Sequence, residues 1–313
     1  MASKPKMTRY TVKDFQAQFP NDAACLEWLF RRFCPNGTVF CDKCQRETKH
    51  HRVASRPSYS CDYCGHHVHP TANTIFHKSP TPLTTWFYAI YMMASTRCGI
   101  SAKQIERETG VTYKTAWRMF KQIRSMLEED GMQIGGSGKG VEADETYMGG
   151  KRKNGVGRPM RGDKVKTPVI GIVERKGKVI AKAIPDTTAM TLCGTIRSHV
   201  NPGTMLYTDE LNSYNAVSAG RMYTHHRINH SSKVYVVGHI HTNTVEGFWS
   251  LIKTGIRGVY HSIGKGYLQS YLNEYSFRYN RRHDVQPMFV SFLRQIEKRD
   301  AVAWQVSVEV EPF

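Results

Sequence analysis

Two Cys-x-x-Cys pairs, Cys41–Cys44 and Cys61–Cys64, constrain the first part of this chain more than any other feature. Each pair turns tightly enough for both sulfurs to reach one ion, and four thiolates at this spacing are typical of a tetrahedral structural zinc site. Two disulfides, or thiols buried in an apolar core, are the alternatives. We expect zinc, held in a small zinc ribbon that follows a helical lead-in within residues 1–80.

A short helix, a glycine turn and a basic helix are predicted within residues 81–130. The second helix carries Lys114, Arg118, Lys121 and Arg124 at spacings that place them towards one face. This order is typical of a helix-turn-helix, whose second helix can enter the major groove of DNA. A plain helical hairpin would share the pattern. The glycine-rich residues 131–140 are predicted to form a linker.

The charge balance points to a polyanionic partner. The chain of 313 residues has a net charge of +18, with 44 Lys and Arg against 26 Asp and Glu. DNA is the first candidate, although a ribosomal or membrane-surface protein could share this excess. The longest apolar run, residues 86–94, is too short for a membrane helix, and no signal peptide is evident. We expect a cytoplasmic protein with no membrane partner.

From residue 141 onwards the pattern changes to strands. A strand at 141–147, a hairpin at 168–174 and 178–184, a helix and a further strand at 204–208 are followed by helices. This order predicts a mixed sheet flanked by helices, consistent with an α/β RNase H-like core over residues 141–298. Residues 299–313 are predicted to form a C-terminal tail. The chain is therefore expected to be multidomain: a zinc ribbon, a helix-turn-helix and an α/β core.

Three acids from separate elements of this core stand out: Asp144, Asp209 and Glu246. Unpaired carboxylates are costly to bury, and a divalent cation is the usual compensation. On a strongly basic chain these acids suggest cation-assisted chemistry on a nucleic-acid phosphate. Glu142 competes with Asp144 for this role, because it lies two residues earlier on the same strand face.

The helix that carries Glu246 places Asn243, Ser250 and Lys253 on the same face as this acid. A second basic element begins at Lys151, Arg152 and Lys153, between the first two strands of the core. Such a basic loop suits a DNA backbone, and a solvated loop without a role is the alternative.

Taken together, these segments resemble the DDE transposases of bacterial insertion sequences in the ISXO-like group, relatives of the eukaryotic Merlin elements. The segments that carry the resemblance are residues 141–151, 207–210, 241–253 and 271–282. The resemblance implies an RNase H-like catalytic domain, Mg²⁺ or Mn²⁺ as cofactor, and terminal inverted repeats as substrate. It implies DNA cleavage by metal-dependent hydrolysis and joining of 3′-ends to target DNA by transesterification. It also implies a homodimer or higher oligomer and a protein associated with the bacterial nucleoid.

The resemblance assigns the first two catalytic acids to Asp144 and Asp209, and a phosphate contact to Lys253. The third catalytic position is either Glu246 or Asn243, because some members of the group carry an asparagine there. We expect Glu246, since a carboxylate neutralises a cation whereas an amide offers only a neutral oxygen. A DNA-binding regulator with an inactive core, or a nuclease that cuts without joining, are the alternative functions.

Overall fold

The computed structural model describes residues 8–149, 166–220, 222–228 and 242–298. The chain divides into two compact units. The first comprises Met1–Arg97, Ala102–Met126 and Val285–Phe313, and the second comprises Cys98–Ser101 and Leu127–Asp284. Lys151, Arg152, Lys153 and the predicted tail at 299–313 lie outside the described residues.

Helices occur in both units of the described residues. They are α1 (Val12–Gln18), α2 (Asp22–Phe33), α3 (Leu83–Ser95), α4 (Ala102–Thr109), α5 (Tyr113–Ser125), α6 (Ala189–His199), α7 (Asn243–Gly255), α8 (Leu268–Asn280) and α9 (Met288–Leu293). Side-chain caps set several of their starts. The Thr112 hydroxyl accepts the Thr115 N–H at the start of α5, and the Thr188 hydroxyl accepts the Thr191 N–H at the start of α6.

The strands are β1 (Thr38–Cys41), β2 (Arg46–Val53), β3 (Ser58–Cys61), β4 (His67–Val68), β5 (Ile134–Gly135), β6 (Gly140–Met148), β7 (Thr167–Glu174), β8 (Val179–Ala183), β9 (Val200–Asn201), β10 (Met205–Thr208) and β11 (Thr224–Arg227). In the first unit, β1 to β4 form an antiparallel sheet in chain order. Cys41 ends β1 and Cys61 ends β3, so the sheet presents one cysteine of each pair at a strand end.

Helices α4 and α5 form the short helix and the basic helix that the sequence predicts, joined through Gly110 at φ +72°. Ile105, Phe120 and Ile123 are buried between them and the rest of the first unit. One detail of the predicted basic face is wrong. Arg124 is only 3% exposed, because the C-terminal end of α5 turns this side chain inward, towards the Phe120 ring.

The second unit is built on a five-stranded sheet in the order β11-β10-β6-β7-β8. β6 pairs with β10 in parallel and with β7 in antiparallel orientation. Alternate residues of each strand point to opposite faces, so each face has its own core. Val141 and Ile170 pack with α6 on one face, whereas Val169 packs with α7 and α8 on the other.

The segment 131–140, which the sequence predicts as a linker, contains β5. β5 pairs with β9 in parallel, and Ile134 is buried in the α6-side core of the second unit. The long segment of the compact second unit begins at Leu127. No helix within the described ranges is long and apolar enough to cross a membrane.

Candidate functional site

The pairing of β6 with β10 brings two of the predicted acids together. Ala143 pairs with Thr208 in parallel register, so Asp144 and Asp209 each follow the last paired residue of neighbouring strands. Their carboxylates and that of Glu145 can each offer an oxygen, and these three oxygens lie within 4.8 Å of one another. Carboxylate oxygens at such separations are the donor set that Mg²⁺ and Mn²⁺ prefer.

Glu145 is a member of this cluster that the sequence does not predict, because neighbouring residues of a strand point to opposite faces. Its carboxylate accepts a hydrogen bond of 2.8 Å from the hydroxyl of Tyr214, a fully buried residue that follows β10. Burial raises the pKa of Glu145, the bond from Tyr214 opposes this rise, and the nearby charge of Asp209 adds to it. No local sequence signal connects Tyr214 to this carboxylate.

A cleft of about 420 Å³ opens beside the cluster, and Glu246 lines it together with Asp144 and Glu145. Glu246 lies in the first turn of α7. The negative charge of Glu246 contributes to the raised pKa of Asp144, so the two carboxylates interact electrostatically. Asn243, the alternative third residue, is the exposed first residue of α7 and does not line the cleft.

Asp144 has a pKa raised to about 7, first because it is largely buried and then because Glu145, Asp209 and Glu246 add negative charge. The indole Nε1–H of Trp249 opposes this shift by donating to Asp144 Oδ2 at 2.9 Å. The indole reaches Asp144 by crossing Gly171, the β7 partner of Asp144. A Cβ at Gly171 would lie 2.5 Å from Trp249 Cζ2, so only glycine leaves room for this contact.

Glu142, the alternative to Asp144 as a metal ligand, is surrounded by hydrogen-bond donors. It is fully buried on the α7 face of β6, and its two oxygens accept four hydrogen bonds. The donors are the Arg175 guanidinium, the Thr244 hydroxyl and the backbone N–H groups of Thr244 and Val245, all at 2.8–3.0 Å. A carboxylate has about four lone pairs to offer, so these donors match its full capacity.

Comparison with known proteins identifies the second unit. Residues 135–280 match the ISXO2-like transposase domain family. The chain is also 30% identical over 127 residues to an uncharacterized transposase-like protein of Haemophilus influenzae, covering 41% of this chain and 99% of that protein. The chain belongs to the ISXO2-like transposase family. A second relative, an uncharacterized protein in transposable element ISH50 of Halobacterium salinarum, is 25% identical over 260 residues, 77% of this chain and 85% of the relative. The family predicted from the sequence is therefore confirmed.

The four cysteines of the transposase also converge. Their sulfurs lie within 4.8 Å of one another, with Cys41 Sγ 3.5 Å from Cys64 Sγ and Cys44 Sγ 3.8 Å from Cys61 Sγ. Four sulfurs bonded to one tetrahedral zinc at about 2.3 Å would lie about 3.8 Å apart. All four are free cysteines, so the disulfide alternative is wrong for this structure. The donor set and its spacing therefore fit zinc.

The predicted DNA-contacting residues of the transposase lie in two places. Lys114 and Arg118 are exposed on α5, and Lys121 is half-buried on the same helix. Lys253 is half-buried on α7 and lines the acidic cleft. Arg257, which the sequence analysis does not single out, is exposed and lines the same cleft one turn further on.

Proposed function

We propose that this transposase cleaves DNA at the terminal inverted repeats of its element by metal-dependent hydrolysis and joins the 3′-ends to target DNA by transesterification. The observation that carries the proposal is the meeting of carboxylates from separate elements. Asp144 on β6 and Asp209 after β10 belong to one cluster, and Glu246 on α7 faces the adjoining cleft. Carboxylates that converge in this way, with another acid facing the same cleft, repel one another unless a cation compensates their charge.

Asp144, Asp209 and Glu246 are the proposed ligands of Mg²⁺ or Mn²⁺. A bound divalent cation supplies Lewis-acid activation of the attacking hydroxyl and stabilises the leaving oxygen. The protein residues orient the site. Trp249 holds the Asp144 carboxylate through its indole N–H, and Tyr214 holds Glu145 beside it. Lys253 binds a phosphate of the DNA strand in the cleft.

We further propose that the second unit is an RNase H-like catalytic domain. Its five-stranded sheet supports this, because the first strand of the sheet in chain order, β6, lies at the centre beside the parallel β10. The two proposed aspartate ligands then lie side by side, Asp144 within β6 and Asp209 directly after the end of β10. A site beside the carboxyl end of a parallel strand is a common arrangement in α/β proteins.

The first unit is proposed to bind the element ends. Helices α4 and α5 would act as a helix-turn-helix, with Lys114, Arg118 and Lys121 facing DNA, beside a zinc ribbon held by the four cysteines. Lys151, Arg152 and Lys153 remain proposed backbone contacts from sequence alone. Joining two ends to one target requires two active sites, so we propose that the working assembly is a homodimer or a higher oligomer.

The test uses the full chain, Mn²⁺ or Mg²⁺, and a labelled duplex that carries the terminal inverted repeat flanking the gene. We expect cleavage at the repeat and joining of the 3′-end to a target plasmid. Asp144→Asn and Asp209→Asn should lose both reactions and keep binding of the end DNA. Binding without cleavage by the wild type would favour a regulator, and cleavage without joining would favour a nuclease.

A further inference from the structure

The cleft beside the acid cluster carries charges of both signs. Its lining combines the acids Asp144, Glu145 and Glu246 with the cations Lys253 and Arg257. Within the parts of the chain that the structure describes, neither Lys253 nor Arg257 forms an ion pair with an acidic side chain. Two cations that line an open cleft and form no ion pair within the described residues are available to an anionic ligand.

Lys253 and Arg257 follow Glu246 along one run of helical backbone. At about 100° per residue, Glu246 and Lys253 lie about 20° apart around the axis of α7, and a rise of about 1.5 Å per residue separates them by about 10 Å along it. Arg257 lies in the π-helical segment Ile256–Tyr260 that continues α7, about one turn, on the order of 5 Å, beyond Lys253. Long Lys and Arg side chains one turn apart can reach two neighbouring phosphates of one DNA strand. The pair Lys253 and Arg257 therefore suits two successive phosphates of a strand that passes the acids.

The end of this run of helical backbone is held in place by packing. α7 ends at Gly255, where a Cβ would lie 1.6 Å from the Tyr275 hydroxyl, and that hydroxyl donates to the Cys98 carbonyl at 2.8 Å. Helical backbone continues as a wider π-helical segment, Ile256–Tyr260. At its far end, Tyr260 packs edge-on against Tyr271 with ring centroids 4.7 Å apart. Arg257 thus projects from a backbone segment that is anchored on both sides.

We propose that Arg257 forms a second phosphate-binding subsite, one phosphate beyond that of Lys253 on the strand that is cleaved. The inference rests on the proposed function, because it takes the acids to mark the cleaved bond. Arg257 recognises the charge and the oxygens of a phosphodiester and reads no base, since it reaches the strand from the backbone side. It orients the strand so that its cleaved bond lies at the acids.

The experiment pairs protein variants with uncharged phosphates. The labelled terminal-repeat duplex is made with one methylphosphonate at a time on the cleaved strand, and cleavage with Mn²⁺ is timed for wild type, Arg257→Gln and Lys253→Gln. Lys178→Gln is the matched control, because Lys178 is exposed in the turn between β7 and β8 and does not line the cleft. Arg257 is exposed, so its replacement leaves the fold intact.

In the wild type we expect two methylphosphonate positions that each slow cleavage by about tenfold, the typical value of a charge-assisted contact. Arg257→Gln should lose the sensitivity at the position further from the cleaved bond and keep the nearer one, with the reverse for Lys253→Gln. Lys178→Gln should match the wild type. If Arg257→Gln retains the full wild-type pattern, the subsite is wrong. If the wild type fails to cut even the unmodified duplex, the proposed function is wrong and the subsite with it.

Discussion

Glu142 on β6 binds Thr244 at the start of α7 twice: one carboxylate oxygen accepts the Thr244 backbone N–H and the other accepts the Thr244 hydroxyl, both at 2.8 Å. The contact joins the strand that carries Asp144 to the helix that carries Glu246. A negative charge at a helix N-terminus also interacts favourably with the helix dipole. The buried acid closest in sequence to the cluster therefore holds the site together and is not one of its proposed ligands.

Glu142→Gln should lower both stability and activity. The side-chain amide of the glutamine would place an NH₂ group against the N–H and hydroxyl donors that now bind Glu142. It would also remove the carboxylate that Arg175 contacts at 2.8 Å. Breaking a buried ion pair by changing one partner costs about 3–5 kcal/mol. Urea unfolding measures the loss. Glu128→Gln is the control, because Glu128 is 42% exposed and lies 3.9 Å from Lys182, and such surface pairs contribute about 0–1 kcal/mol. Equal stability of the two variants would contradict the role of Glu142.

Gly171→Ala should reduce the rate of cleavage by about tenfold, because it displaces a contact that orients a proposed metal ligand. The added methyl would meet the Trp249 ring at 2.5 Å and push the indole away from Asp144. Overpacking of this kind also costs about 1–3 kcal/mol of stability. Gly194→Ala in α6 is the matched control, since nothing lies within 4 Å of its added Cβ. A Gly171→Ala protein with wild-type cleavage kinetics would show that the Trp249 contact is dispensable.

Asp144→Asn should stabilise the metal-free protein at neutral pH and leave it unchanged near pH 4. The folded-state pKa of Asp144, about 7, lies above its ordinary value of 3.8, so the folded protein binds the proton more tightly than the unfolded chain does. The stability of the wild type therefore falls as the pH rises between these values, whereas the asparagine has no proton to lose. One pKa unit corresponds to about 1.4 kcal/mol, and we expect a gain on the order of 1–3 kcal/mol above pH 7.

Thermal unfolding in EDTA between pH 4 and pH 8 measures this gain. Asp284→Asn is the control, because Asp284 is an exposed acid of the same unit. The difference between wild type and Asp144→Asn should widen with rising pH, and the difference for Asp284→Asn should not. A constant difference across the range would contradict the raised pKa of Asp144.

One zinc ion per chain should be present in the folded protein, and Cys44→Ser should lose it. Structural zinc sites contribute directly to folding, so a strong chelator should also lower the melting temperature. Cys34→Ser is the control, since Cys34 is half-buried and lies outside the four-sulfur group. Elemental analysis of both variants measures the metal. Zinc retained at full occupancy by Cys44→Ser would rule out the four-thiolate site.

Glu246→Gln should abolish cleavage, whereas Asn243→Ala should slow it by less than about tenfold, the cost of a supporting contact. Glu246 lines the cleft and its charge acts on Asp144, whereas Asn243 does neither. The two substituted residues lie three positions apart on one helix, so each variant serves as a control for the other. An inactive Asn243→Ala beside an active Glu246→Gln would assign the third ligand to the asparagine.

The sequence predicts the acids themselves better than it predicts their surroundings. Asp144, within β6, and Asp209, directly after β10, lie together because the two strands pair in parallel with Ala143 beside Thr208. The zinc ligands are predicted because their spacing is local. The roles of Trp249, Tyr214 and Glu142 depend on contacts between residues 69 to 105 positions apart, and no local pattern encodes such packing.

The same limit explains Arg124 and Glu145. Helical periodicity places Arg124 near the basic face of α5, but the packing of the first unit buries it. Strand alternation places Glu145 opposite Asp144, but its longer side chain and the bond from Tyr214 bring it back to the cluster. In both cases tertiary contacts override the position that the local pattern predicts for the side chain.

The parallel register of β6 and β10 determines which genetic lesions the transposase can tolerate. A substitution near the cluster alters one contact and leaves both aspartates at the same edge of the sheet. Loss or gain of a single codon within β10 would instead shift Asp209 by one residue against Ala143 and Asp144, and a shift of one residue turns a side chain to the other face. One-codon deletions within β10 would therefore inactivate the transposase even though each of its proposed ligands is still encoded.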